Sequence, residues 1–177
     1  MPGVAANTGR VLATCIGEGG LPKRAVPAAL VDEHGLAGDA HRFHLHGGAN
    51  RAVCLFSIED CRALERYGVK IGGPGSFGEN LLVEGLDFRA LLPGDLLEVG
   101  ETVVLEIFDV REPCGTLKTI DRRFPNLMVG RSGFVCSVRA GGELRPGLAV
   151  VHRPIVGPAP DVEPALLSQP SGRCPEG

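Results

Sequence analysis

The run Thr102-Val103-Val104-Leu105-Glu106-Ile107-Phe108-Asp109-Val110-Arg111-Glu112-Pro113-Cys114-Gly115 organises the reading of the chain. Its β-branched and apolar first half, Thr102 to Phe108, predicts a strand. Pro113 has no N–H for a ladder and confines Glu112 to extended geometry, so the strand must stop here. Gly115 then turns the backbone without a side chain to shield the neighbouring sulfur. Cys114 thus stands at a strand end, with Arg111 three residues before it and Lys118 four after. Cationic neighbours favour the thiolate, the form that attacks, carries sulfur or binds soft metals. The competing reading is a small buried apolar residue, the usual condition of a free cysteine. This stretch alone leaves both open.

Working outward, composition narrows the class. The 177 residues suffice for one domain with its own core. An apolar share of 44% and a charged share of 22% are those of a soluble globular chain. With 26 Gly, 14 Pro and no Trp, short strands joined by many turns are expected rather than a helical bundle. The net charge of −3 offers no basic surplus, so nucleic acid is not an expected partner. No apolar run reaches the length of a membrane span, and Met1 to Arg10 has no charged head followed by an apolar core. The expected compartment is the cytoplasm. Six cysteines without a CxxC pair are expected to be free thiols there, with Cys54 and Cys136 in the core and Cys174 in a polar tail.

Taken in order, Arg10 to Ile16 reads as a first strand. The loop Gly17-Glu18-Gly19-Gly20-Leu21-Pro22-Lys23-Arg24 ends in two cations and has either an anion-binding or a plain turn role. A second strand follows at Ala25 to Val31. Three histidines, His41, His44 and His46, fall within six residues, but neither strand nor helix spacing gathers all three on one metal. The alternative is that Asp39 and His41 hold a tight loop by hydrogen bonds. Arg51 to Phe56 reads as a buried strand, and Ser57 with Asp60 caps a short helix ended by Gly68. Ile58, Cys61, Leu64 and Tyr67 recur every third residue, which makes Cys61 a packing position. Glu79 and Asn80 lie where a glycine-dense loop enters the strand Leu81 to Val83, and Glu79 reads as a tie for that loop. Leu96 to Val99 is a strand after the Pro93-Gly94-Asp95 turn. Phe124 to Val129 reads as a short helix or docking segment. Phe134 to Arg139 is expected to form a hairpin with Glu143 to Arg145 through Gly141-Gly142, before a last strand, Gly147 to His152. From Pro154 on, six of 24 residues are proline and no apolar period is seen, so residues 1–153 form the domain and 154–177 an extended or disordered tail.

The order of these pieces resembles the MOSC domain, named for the C-terminal part of molybdenum-cofactor sulfurases. The matching segments are Gly38-Asp39-Ala40-His41, His46-Gly47-Gly48 with Arg51-Ala52-Val53, Phe77-Gly78-Glu79-Asn80, Pro93-Gly94-Asp95 and Pro113-Cys114. The resemblance implies a mainly β (α+β) fold, a MOSC-type β-barrel with a few short flanking helices. It also implies that Cys114 is the catalytic position. The cysteine either ligates molybdenum in a molybdenum–pterin cofactor (molybdopterin) or carries sulfur as a persulfide for a metal–sulfur centre. Arg51 and Arg111, then Lys23, Arg42 and Arg131, are the candidate cations for the pterin phosphate. Asp39, His41 and Asn80 are the candidate polar groups of the pocket. With no pyridoxal-phosphate domain of its own, such a protein would need a sulfur donor, such as a cysteine desulfurase, and an acceptor enzyme or cofactor. Two alternatives accompany this reading. One is a reductase of N-hydroxylated compounds served by a separate electron donor, since no ferredoxin-like donor is present. The other is a non-catalytic interaction module that keeps only the barrel.

Overall fold

The computed structural model describes residues 6–40 and 48–155. Its elements are β1 (Thr8–Ile16), β2 (Arg24–Val26), β3 (Ala29–Asp32), β4 (Gly35–Leu36), β5 (Val53–Ser57), α1 (Ile58–Arg66) and β6 (Leu81–Glu84). They continue with β7 (Leu96–Val99), β8 (Val103–Val110), β9 (Phe134–Ala140), β10 (Gly142–Leu144) and β11 (Ala149–Arg153). The main sheet runs β11-β7-β8-β9-β5-β6-β1-β2, and β1 pairs again with β11. Seven strands therefore close on themselves as a mixed barrel, with β2 appended beside β1. Closure leaves no barrel edge open to pairing with another chain. The fold is mainly β, as the density of turns and short strands implied.

All neighbours in the ring are antiparallel except β5 and β6. A parallel pair needs a crossover, and α1 supplies it. Ser57 Oγ accepts from the backbone N–H groups of Glu59 and Asp60 at the start of α1, and Gly68 follows its end with φ 80°.

Alternation on the strands builds two cores. Val53 and Leu55 of β5, Leu81 and Val83 of β6, and Leu97, Leu105 and Ile107 fill the barrel. Phe56 and Leu82 point the opposite way, into a second cluster with Cys61 and Leu64 of α1, Phe77, Leu117, Phe124 and Met128. A β-bulge between Val11 and Ala13 shifts the register of β1, so Val11 joins the barrel core while Ala13 and Cys15 join the outer cluster. Burying one such leucine contributes about 1.5–3 kcal/mol.

Two expected elements are corrected. Residues 25–31 are not one strand. Pro27 lies between β2, which pairs with β1, and β3, which pairs with β4 and β10. The expected hairpin after β9 does not form either, because β10 pairs with β3, Gly142 opposite Val31, in a separate three-stranded sheet. At Gly141 a side chain would collide with the Val31 carbonyl, and at Gly142 with Thr102, so the two glycines serve close passages against β3 and the start of β8. Phe124–Val129 holds a short 3₁₀ turn, Asn126–Met128. Except for Pro154 and Ile155, the expected tail lies outside the described residues. No helix among the described residues is long and apolar enough to cross a membrane.

A buried polar tie fastens the last strand. Asp95 Oδ2 lies 2.7 Å from His152 Nε2, and its carboxylate also accepts from the Leu92 and Ile155 N–H groups. Burial pushes the Asp95 carboxyl up, but the Leu92 N–H, the His152 bond and the Ile155 N–H outweigh it and hold it below the ordinary 3.8. A depressed carboxyl stabilises the fold above its unfolded pKa, and that stabilisation is lost as pH falls through the folded value. Asp95→Asn is therefore expected to cost about 1–3 kcal/mol at neutral pH. Its deficit against wild type should shrink below pH 3.8, as read by urea unfolding across pH.

Candidate active site

Loops after β1 and β8, and the entries to β5 and β6, meet over the outer wall of β5 and β9. Cys54 and Val135 face this side, opposite to the barrel-filling Val53, Leu55, Phe134 and Cys136. The result is a cavity of about 120 Å³. Lys23, Arg51, Asn80, Arg111 and Cys114 line it together with Gly20, Leu21, Glu112 and Thr116. Residues separated by up to 115 positions in sequence, Gly20 to Val135, thus converge on one space.

Asn80 is the structural hub. Its Oδ1 accepts from Cys54 N at 3.0 Å, and its Nδ2 donates to Cys15 O at 3.1 Å and to Asp39 Oδ2 at 2.8 Å. Its backbone bonds to the same two residues, so one asparagine stitches β1 to β5 just before β6 begins. Asp39 completes the network by accepting from Lys23 Nζ at 2.6 Å and from Gly17 N at 2.8 Å. Lys23 and Asp39 expose only 7% and 2% of their side chains, so this is a buried ion pair with hydrogen-bond support. Glu79, 1% exposed, accepts from Gly75 N and Phe77 N and ties down the glycine-dense loop. Burial pushes its carboxyl up, against those backbone bonds and the Arg111 charge.

Arg111 donates through Nη2 to Phe77 O, and its backbone N–H is fixed on Gly133 O at 3.0 Å. Its Nη1 and the Nε of Arg51 are buried without a hydrogen-bond partner among the described residues. Buried guanidinium donors left unpaired are costly, and such groups call for an anionic ligand. Cys114 stands beside them, its Sγ 3.1 Å from Thr116 Oγ1. The Thr116 hydroxyl and backbone N–H, with the Arg111 charge after them, hold the Cys114 thiol below its ordinary 9.0 against partial burial. The sequence pointed to Arg111 and Lys118 as the cause, but the hydroxyl two residues on has the larger effect. Any Cys-x-Thr at a strand exit carries that signal.

The other described thiols lie the opposite way. Burial raises Cys15 to about 12 and pushes Cys54, Cys61 and Cys136 up as well. Iodoacetamide at neutral pH should therefore alkylate Cys114 at least about tenfold faster than these four, as read by peptide mass mapping over time. Equal rates would contradict the thiolate assignment.

The placement of the sequence-derived candidates is uneven. Cys114, Arg51, Arg111, Asn80 and Lys23 reach the cavity, with Asp39 bonded directly behind it. Lys23 is committed to Asp39, so it is no free cation. Arg131 is corrected: it stacks over the Tyr67 ring at 5.3 Å and lines a separate groove beside Asp60 and Arg89. His41, Arg42, His44 and His46 lie outside the described residues. Among the described residues no group of three His, Cys, Asp or Glu side chains could hold a metal ion. Sequence reading missed Cys54, Glu112 and Thr116 as lining residues. Cys54 sits in an apolar run that hides the outward-facing position of a strand.

The family model described as MOSC domain matches residues 42–151. A curated protein named "Reductase" from Gibberella moniliformis is 29% identical over 132 residues, 68% of this chain but 23% of that protein. The uncharacterized protein YflK of Bacillus subtilis is 32% identical over 136 residues, 73% of this chain and 61% of YflK. This chain thus spans less than two thirds of either relative. Among solved structures, YiiM from Geobacillus stearothermophilus superposes with a TM-score of 0.67 at 24% identity, covering 82% of this chain and 75% of that one. YiiM from Escherichia coli gives 0.65 at 24%, covering 84% and 72%. At these identities the structures speak for the shared barrel.

Proposed function

This chain belongs to the MOSC domain family, and from that premise we propose that it binds molybdenum cofactor and carries sulfur as a Cys114 persulfide for a metal–sulfur centre. The observation behind the reading is the meeting, in one cavity, of two guanidinium donors without partners among the described residues and the one described thiol held low. Arg51 and Arg111 fit the phosphate of a pterin cofactor, and Cys114 fits a soft metal. A single thiolate suits an ion that arrives already chelated, since no three-ligand cluster stands ready among the described residues. When bound, the cofactor supplies a redox-active metal. The chain itself orients that group with Arg51 and Arg111, offers the Cys114 sulfur, and keeps the loops in place through Asn80 and Asp39. The free thiols fit a cytoplasmic protein, and a sulfur donor and an acceptor enzyme fit as partners.

Elemental analysis with pterin fluorescence, on protein from molybdate-fed cells, tests the cofactor half. Near-stoichiometric molybdenum is expected in wild type. Its absence would leave only the sulfur-carrying half standing. A second reading, reduction of N-hydroxylated compounds, is favoured by the curated relative named "Reductase". Turnover of an amidoxime with an artificial electron donor separates it from sulfur carriage, and absence of cofactor, persulfide and turnover would leave an interaction module.

A further inference from the structure

We propose that Cys114 takes its sulfur from a small sulfane-sulfur oxyanion of the thiosulfate class, held in the cavity by Arg51 and Arg111. This rests on the sulfur-carrying reading above and adds the chemical identity of the donor.

Size and charge point the same way. A space of about 120 Å³ between Arg51, Arg111 and Cys114 admits a small tetrahedral oxyanion. Lys23 is paired with Asp39, so among the described residues the charges that face a ligand are Arg51, Arg111 and, at the exposed rim, Glu112. Arg111 has one nitrogen committed to Phe77 O, and its Nη1 and the Arg51 Nε have no partner among the described residues. Two spare charge-assisted donors suit the oxygens of a sulfonate-like end. The Cys114 sulfur lines the same space, steadied by Thr116, where it meets the other end of such a molecule.

The step balances without any oxidant. The Cys114 thiolate attacks the sulfane sulfur, and a new S–S bond forms at Sγ. The S–S bond of thiosulfate breaks, and its electron pair leaves with sulfite. Cys114 becomes a persulfide anion, and total charge is conserved. An acceptor thiolate or cyanide then takes the outer sulfur and returns the Cys114 thiolate.

The test uses reduced full-length protein from cells grown without added molybdate, with thiosulfate or, in parallel, inorganic polysulfide. Sulfite release and the one-sulfur mass gain on the Cys114 peptide are followed. Expected is one sulfite per Cys114 persulfide. Arg51→Gln should lower the ratio of thiosulfate to polysulfide loading by about tenfold. Glu112→Gln, which removes the opposing charge at the rim, should raise thiosulfate loading at low salt. A fold defect would not move the two variants in opposite directions. Loading from polysulfide but not thiosulfate, or a ratio unchanged in Arg51→Gln, overturns this donor assignment and leaves sulfur carriage intact. No persulfide from either reagent overturns both.

Discussion

Cys114→Ser is expected to abolish persulfide formation and molybdenum retention together, with a loss of at least about a thousandfold in any sulfur transfer. A serine hydroxyl is not ionised at neutral pH, has no soft-metal affinity and cannot form a persulfide. The fold should not notice. Cys114 is partly exposed, has extended backbone at φ −85° and ψ 146°, and belongs to neither core cluster. Serine keeps a bond to Thr116, so stability should stay within about 0.5 kcal/mol of wild type. That combination separates a reactive position from a packing one. Cys61→Ser, at a side chain buried in the outer core beside Leu64, should do the reverse, lowering the thermal midpoint and leaving sulfur chemistry in place. Parallel assays of persulfide mass and thermal unfolding on the two variants decide it, and retention of a Cys114→Ser persulfide signal elsewhere in the chain would move the site.

Much of this was legible in the chain because local signals and tertiary demands agreed. Ser57 as cap, Gly68 as terminator and the three-residue spacing of Ile58, Cys61 and Leu64 all hold in α1. Glu79 reads as a loop tie and is one. The failures share a cause. Period-two patterns show that a strand has two faces, but a closed barrel covered on one side buries both. The sequence around Cys54 therefore looks uniformly apolar although one face of β5 lines the cavity. Bulges add to this. The extra residue in β1 moves Ala13 and Cys15 to the outer core, which no local rule announces. Long-range pairing defeats the Gly141-Gly142 hairpin, because β10 answers to β3 and not to its sequence neighbour. Arg131 is a candidate only through the family resemblance, and it lies over the Tyr67 ring, away from the cavity.

The Lys23–Asp39 pair gives the second large effect, and it lies on stability before it reaches function. Lys23→Met is expected to destabilise the fold by about 3–5 kcal/mol, because the buried Asp39 carboxylate would lose its 2.6 Å contact with the Lys23 ammonium. Asp39 also accepts from Gly17 N and Asn80 Nδ2, so the disturbance would pass to the β1 exit and to the residue that fastens β5 to β1. A backbone tie sharpens the point: Lys23 N donates to Gly75 O at 2.9 Å, which binds the β1–β2 loop to the loop held by Glu79. Loss of this charge is therefore expected to loosen the far wall of the cavity and, through Phe77, the hold on Arg111. The double variant Lys23→Met with Asp39→Leu should recover part of the stability, since two apolar side chains replace a desolvated pair. It should not recover anion-dependent loading of Cys114, because the Asn80 amide then lacks its carboxylate acceptor. Urea unfolding of the single and double variants checks the first statement, and the thiosulfate loading rate checks the second. Single-variant stability within about 1 kcal/mol of wild type would mean that water reaches the pair and that the wall is held by its backbone bonds alone.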